Sequence, residues 1–161
     1  MAWRKLTTVD GDGTAAYSSD VFVKRKFISI MKFTQATTSL NDESRLGNTT
    51  IDTGTNYATR SSQNGAAEDL LTSRTSIIDS SATSDAGEIG FNITNIINIS
   101  LEEKLIIAFR IDNVATGSGT APNNREIVGK WVSTDQLNIV GAYSATGTYN
   151  SNSNISVLGT D

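Results

Sequence analysis

The sequence predicts an all-β fold, an antiparallel, jelly-roll-like β-sandwich of about eight to ten strands. Apolar and polar residues alternate with period two over most of the chain, and helical periodicity is nearly absent. Asp-Gly, Asn-Gly, Thr-Gly and Ser-Gly turn signals separate the alternating runs. Short strands punctuated this way suit a sandwich, and a jelly roll is the version with about eight strands. The 161 residues make one domain, and a chain of that length buries roughly 70% of its unfolded surface.

In chain order, residues 1–20 read as an N-terminal arm, because Thr7–Asp20 is a run of Gly, Ser, Thr and Asp. Residues 21–161 then form the single sandwich domain. Val21–Thr34 is β-branched and aromatic enough for one bent strand or two. Arg45–Thr50, Tyr57–Ser61 and Ser73–Asp79 are weaker strand candidates, and Asn64–Ser73, with Ala66, Ala67, Leu70 and Leu71, admits two turns of helix. Glu88–Ser100 places Ile89, Phe91, Ile93, Ile97 and Ile99 on one face and Asn92, Thr94, Asn98 and Ser100 on the other. Lys104–Asp112 does the same with Leu105, Ile107, Phe109 and Ile111 opposite Lys104, Arg110 and Asp112. Arg125–Ser133 carries Ile127 and Trp131 on one side, a core pairing for the indole. Leu137, Ile139 and Tyr143 continue the pattern, and Ile155–Leu158 closes the chain. Ala115–Asn124 and Ser144–Asn154 are loops, the usual place for binding functions on a rigid scaffold.

Composition removes whole classes of chemistry. With neither Cys nor His there are no disulfides, no thiol nucleophiles, no thiolate zinc sites and no Ser-His or Cys-His pairs. Thirteen basic against seventeen acidic residues leave a formal charge of −4, which gives no general attraction to nucleic acid or anionic lipid. No stretch approaches the roughly 20 apolar residues of a membrane span. The start, Met1-Ala2-Trp3-Arg4-Lys5, lacks the apolar run of a signal peptide, so a cytoplasmic origin is expected.

Several motifs invite a functional reading. Asp10-Gly11-Asp12-Gly13 resembles the start of a calcium loop, but the third ligand and the distant Glu are missing, which favours a pair of Asp-Gly turns and no metal. Glu102-Glu103 is the one carboxylate doublet. It falls in a turn, and adjacent strand residues point to opposite faces, so paired acid/base work is unsupported. Lys24-Arg25-Lys26 is a basic run of the kind that docks phosphate or an acidic protein surface and more often blunts an exposed strand edge. Gly117-Ser118-Gly119 is a loop fragment rather than a phosphate cradle. Tyr57 and Tyr149 sit among turn residues and are the candidate exposed pair for stacking on sugar rings. No catalytic, cofactor-binding or metal-ligating residue is expected.

A set of segments taken together resembles a known family. They are Arg45-Leu46-Gly47-Asn48-Thr49, the run Asp52-Thr53-Gly54-Thr55-Asn56-Tyr57-Ala58-Thr59-Arg60, and Asn64-Gly65-Ala66. Downstream come Glu103-Lys104-Leu105, Gly119-Thr120-Ala121-Pro122, Arg125-Glu126, Lys130-Trp131, Gly147-Thr148-Tyr149 and Leu158-Gly159-Thr160-Asp161. Their order over residues 40–161 is similar to that in small jelly-roll virion structural proteins of tailed phages and of marine viruses infecting ammonia-oxidising archaea. Leu46-Gly47 departs from the family's usual aromatic and Asn. The resemblance implies a non-enzymatic virion component (capsid decoration, spike, fibre or tail surface) assembled in the host cytoplasm. It further implies a homo-oligomer, with a trimer favoured, in contact with other virion proteins. The alternative expectation is a carbohydrate-binding sandwich that recognises a host-surface glycan.

Overall fold

A computed structural model describes residues 2–78, 87–113 and 117–161. The antiparallel sandwich expected from the alternation is the one found, built of two sheets with no helix among the described residues. The strands are β1 (Arg4–Asp10), β2 (Ala16–Ser18), β3 (Phe27–Gln35), β4 (Glu43–Asn48), β5 (Thr50–Ile51), β6 (Tyr57–Gln63) and β7 (Asp69–Arg74). After them come β8 (Ile77–Ile78), β9 (Ile89–Ile97), β10 (Lys104–Asp112), β11 (Asn123–Trp131), β12 (Ile139–Tyr143) and β13 (Asn154–Thr160). Three of these have only two or three residues. The longer strands account for the predicted range of eight to ten.

The large sheet runs β1-β13-β3-β9-β10-β11-β6-β7, and the small one runs β2-β12-β4-β5, with β8 added beside β4. Ile28, Ile30, Ile106, Ala108, Ile127, Trp131, Ile155 and Val157 of the large sheet pack against Tyr17, Leu46, Val140 and Ala142 of the small one. At roughly 25 cal/mol per Å² of apolar surface buried, this layer is the main source of stability.

Four local expectations are corrected. The arm at 1–20 is part of the sandwich: β1 pairs with β13 from Arg4↔Gly159 to Asp10↔Asn154, and β2 pairs with β12. Such pairing across the whole chain leaves no local trace in a Thr- and Asp-rich segment. Residues 21–26 are not strand, so Val21–Thr34 contributes the single strand β3, and the basic run lies on the connection leading into it. Arg25 there bridges Asp161 at 2.5 Å. Asn64–Ser73 is no helix. Asn64 and Gly65 both take positive φ, as a type I′ turn requires, and the chain turns back through β7 along β6. Ser73–Asp79 divides between β7 and β8; Asp79 itself, like the first residues of the Ala115–Asn124 loop, lies outside the described residues.

Candidate functional site

The middle of the large sheet, β3, β9 and β10, is apolar on the side away from the small sheet. Alternation on β9 and β10 would ordinarily turn the all-apolar faces inward. Here they point out. The buried face of β9 carries Gly90, Asn92, Thr94 and Ile96, and that of β10 carries Lys104, Ile106, Ala108 and Arg110.

Strand register builds the outer face into rungs. Phe33, Phe91 and Ile111 form one rung, and Met31, Ile93 and Phe109 the next. Ser29, Asn95, Ile107 and Val128 form a third, and Phe27, Ile97 and Leu105 the fourth. No outward side chain on β3, β9 or β10 carries a charge between Phe27 and Phe33, Ile89 and Ile97, or Leu105 and Ile111. Leu105 and Ile107 are 56% and 66% exposed. Around them lies a trough of about 590 Å³, with Trp3 and Phe27 on one side and Leu70 and Val128 on the other. Charged groups begin on the next strand: Lys130 pairs with Leu105 and lines the trough together with Arg60, Lys130 meeting Glu103 at 2.8 Å and Arg60 meeting Glu68 at 2.5 Å.

An outward apolar face is tenable only because the inward polar face is satisfied. Asp42, fully buried, receives Lys32 Nζ at 2.9 Å on Oδ1, Thr34 Oγ1 at 2.9 Å on Oδ2, and the Arg110 guanidinium on Oδ2. Arg110 reaches Asp112 as well, at 2.5 Å. Burial alone would raise the Asp42 pKa, but the adjacent Lys32 and Arg110 charges outweigh it and hold it down at about 2. Gly90 makes room for this cluster, since a Cβ there would meet the Arg110 guanidinium and come 2.7 Å from the Asp112 carboxylate. Lys104 is buried with its ammonium on the carbonyls of Ile99 (2.7 Å), Ser133 (3.1 Å) and Glu102. Sequence reasoning placed Lys104, Arg110 and Asp112 on one strand face but missed Lys32 and Asp42 as their interior counterparts. The only local signal was a Lys alternating with Ile30 and Ile28 on β3.

Tyr57 and Tyr149 are not an exposed pair. They are 1% and 0% exposed and stand in different parts of the interior. The Tyr57 hydroxyl accepts from Leu46 N at 2.9 Å and faces Leu46 O at 3.0 Å, and its ring stacks on Trp131 with centroids 6.5 Å apart. The Tyr149 hydroxyl lies 2.8 Å from both Asp42 Oδ1 and Tyr143 O, its ring edge-on to Tyr17. Both rings are therefore structural and offer sugar no stacking surface.

The remaining motifs also have structural partners. Asp12 accepts from Thr14 N at 3.1 Å and Thr14 Oγ1 at 2.5 Å, closing a turn, and those bonds lower its pKa. Asp52 accepts from Trp131 Nε1 (2.7 Å), Gly54 N (2.8 Å) and Asn56 Nδ2 (2.9 Å). The Asp52–Tyr57 run is thus a loop tied to the Lys130-Trp131 strand. Glu102-Glu103 occupies the β9–β10 turn, as expected. Among the described residues, no three carboxylates gather as a metal site. No protein-family model matches the chain, and no curated protein is significantly similar to it.

Proposed function

We propose that this chain is a non-enzymatic structural subunit of a virus particle and that it works as a homo-oligomer. One observation carries the assembly part of the reading: the uncharged apolar face presented by β3, β9 and β10. Monomeric proteins seldom expose a contiguous apolar patch beyond a few hundred Å², and this one extends over four rungs of a sheet. Covering it removes apolar surface from water, so association supplies stability that a chain without disulfides lacks. The particle setting comes from the resemblance of residues 40–161 to jelly-roll virion proteins. The interior carboxylate Asp42 is committed to Lys32 and Arg110 and serves the fold.

Static light scattering on the purified protein tests the reading. The expected mass is a multiple of 17.2 kDa, and Leu105→Lys, at an exposed position, should give single chains with an unchanged far-ultraviolet spectrum. A parent protein that stays a single chain at tens of micromolar contradicts it. Immunolabelling of particles from a culture carrying this sequence tests the setting, and unlabelled particles would remove it.

A further inference from the structure

The apolar face has a definite place within its sheet. Of the eight strands, β9 and β10 are the middle two, and the exposed apolar side chains flank their seam. Toward one edge, β1 and β13 present Thr8 and Ser156, whose hydroxyls lie 3.2 Å apart. Toward the other, β11 and β6 present Glu126, Lys130 and Arg60. The surface is therefore an apolar band with polar groups on each side, its apolar area extended at the Phe27–Leu105 end by Trp3 before β1 and Leu70 on β7.

Resting on the oligomeric reading above, we infer that the band seats a second copy of this chain, large sheet against large sheet, about a two-fold axis. A two-fold lying between the sheets and through the band's centre lays band on band and margin on margin, whichever strand direction the axis follows. That is the self-complementarity an isologous contact requires. A ring, including the trimer expected from the sequence, needs two different, mutually complementary surfaces on each copy. Elsewhere among the described residues the large exposed apolar side chains are Val21, Val23, Ile99, Leu101 and Val132, and they sit on turns and connections rather than on a sheet face.

The area agrees. With about 200 Å² for a whole side chain of this size, the exposed fractions of the band amount to roughly 800–900 Å². A stable pair buries about 800 Å² on each partner. The absence of charge on the band also selects its occupant, because a charged partner surface would be desolvated there without a counter-ion. A second copy's band meets that condition.

The chain has no cysteine, so one introduced thiol reports on one position. The test pairs Ile107→Cys, near the band's centre, with Thr50→Cys, exposed on the small sheet. Each is incubated with a short bismaleimide, at a concentration where light scattering gives the assembled mass, until the covered thiol has reacted through subunit exchange, so that final yields and not rates are compared. The expected result is a two-chain product from the position 107 variant at least tenfold above that from position 50. Such a product supports the pairing whether assembly stops at two chains or builds further from pairs. An assembled protein that does not cross-link through 107 overturns the face-to-face pairing and leaves the homo-oligomeric reading standing. A single-chain mass before cross-linking overturns both.

Discussion

Ile106 and Ile107 are consecutive on β10, yet Ile106 is 2% exposed and Ile107 is 66% exposed. Side chains alternate across a sheet, so their opposite placement is ordinary geometry. What is unusual is the company each keeps. Ile106 shares its buried face with Lys104 and Arg110, while Ile107 shares its outward face with Leu105, Phe109 and Ile111. Truncation separates the two positions. Ile106→Ala should cost roughly 2–5 kcal/mol, as for core deletions, and Ile107→Ala no more than about 0.5 kcal/mol. Urea unfolding of both in the Leu105→Lys background, where association does not enter, checks the difference.

The interior charges form a unit, and breaking it is costly. Asp42→Asn removes the carboxylate that the buried Lys32 and Arg110 share, leaving Arg110 with Asp112, and should destabilise the fold by about 3–5 kcal/mol. Replacing all three at once, by Lys32→Met, Asp42→Leu and Arg110→Met, should cost less than that single change, because the one carboxylate then left without Arg110, Asp112, is partly exposed. Thermal unfolding of the single and triple variants gives the comparison.

Acid should weaken the protein in a defined window. The folded Asp42 pKa is about 2, below the ordinary 3.8. A carboxylate depressed on folding contributes stability above its unfolded pKa and loses it as pH falls toward its folded one. Asp52 is lowered too: partial burial opposes the shift, and the bonds from Trp131, Asn56 and Gly54 outweigh it. Tm should therefore be level between about pH 5 and 8 and fall progressively as pH drops from 3.8 toward 2. Asp42→Asn should flatten the fall without abolishing it. A Tm that rises over the same interval would contradict the assignment.

Gly90 is required by space rather than by backbone conformation. Gly90→Ala drives a methyl into the Arg110 guanidinium and should cost about 1–3 kcal/mol, as overpacking does. Gly129→Ala, where the nearest atoms stand at 3.2 Å, should cost less. Chemical denaturation of the two variants decides the order.

Alternation made the large sheet legible and concealed which way it faces. Period two is the same signal whichever face is buried. The facts that decide it are distant in sequence: Asp42 meets Arg110 across 68 positions, and Lys104 finds its carbonyls only once the β9–β10 turn and Ser133 are in place. Tyr57 looked exposed for a similar reason. Its neighbours are turn-like, but the indole on which it stacks belongs to β11. The apparent helix at Asn64–Ser73 lost to a signal that was present, the Asn64-Gly65 dipeptide. β1 had no such signal, because its order comes from β13 at the other end of the chain.

The central claim is that the outer apolar face is open on the single chain and covered in the assembly. Thiol labelling of Ile106→Cys and Ile107→Cys tests it directly, each in the parent chain and in the Leu105→Lys background. The account predicts slow labelling at 106 in both backgrounds. At 107 it predicts fast labelling in the Leu105→Lys chain and slow labelling in the parent. Equal labelling of 106 and 107 in single chains would contradict the orientation of the sheet, and fast labelling at 107 in the assembled parent would contradict its role as the interface.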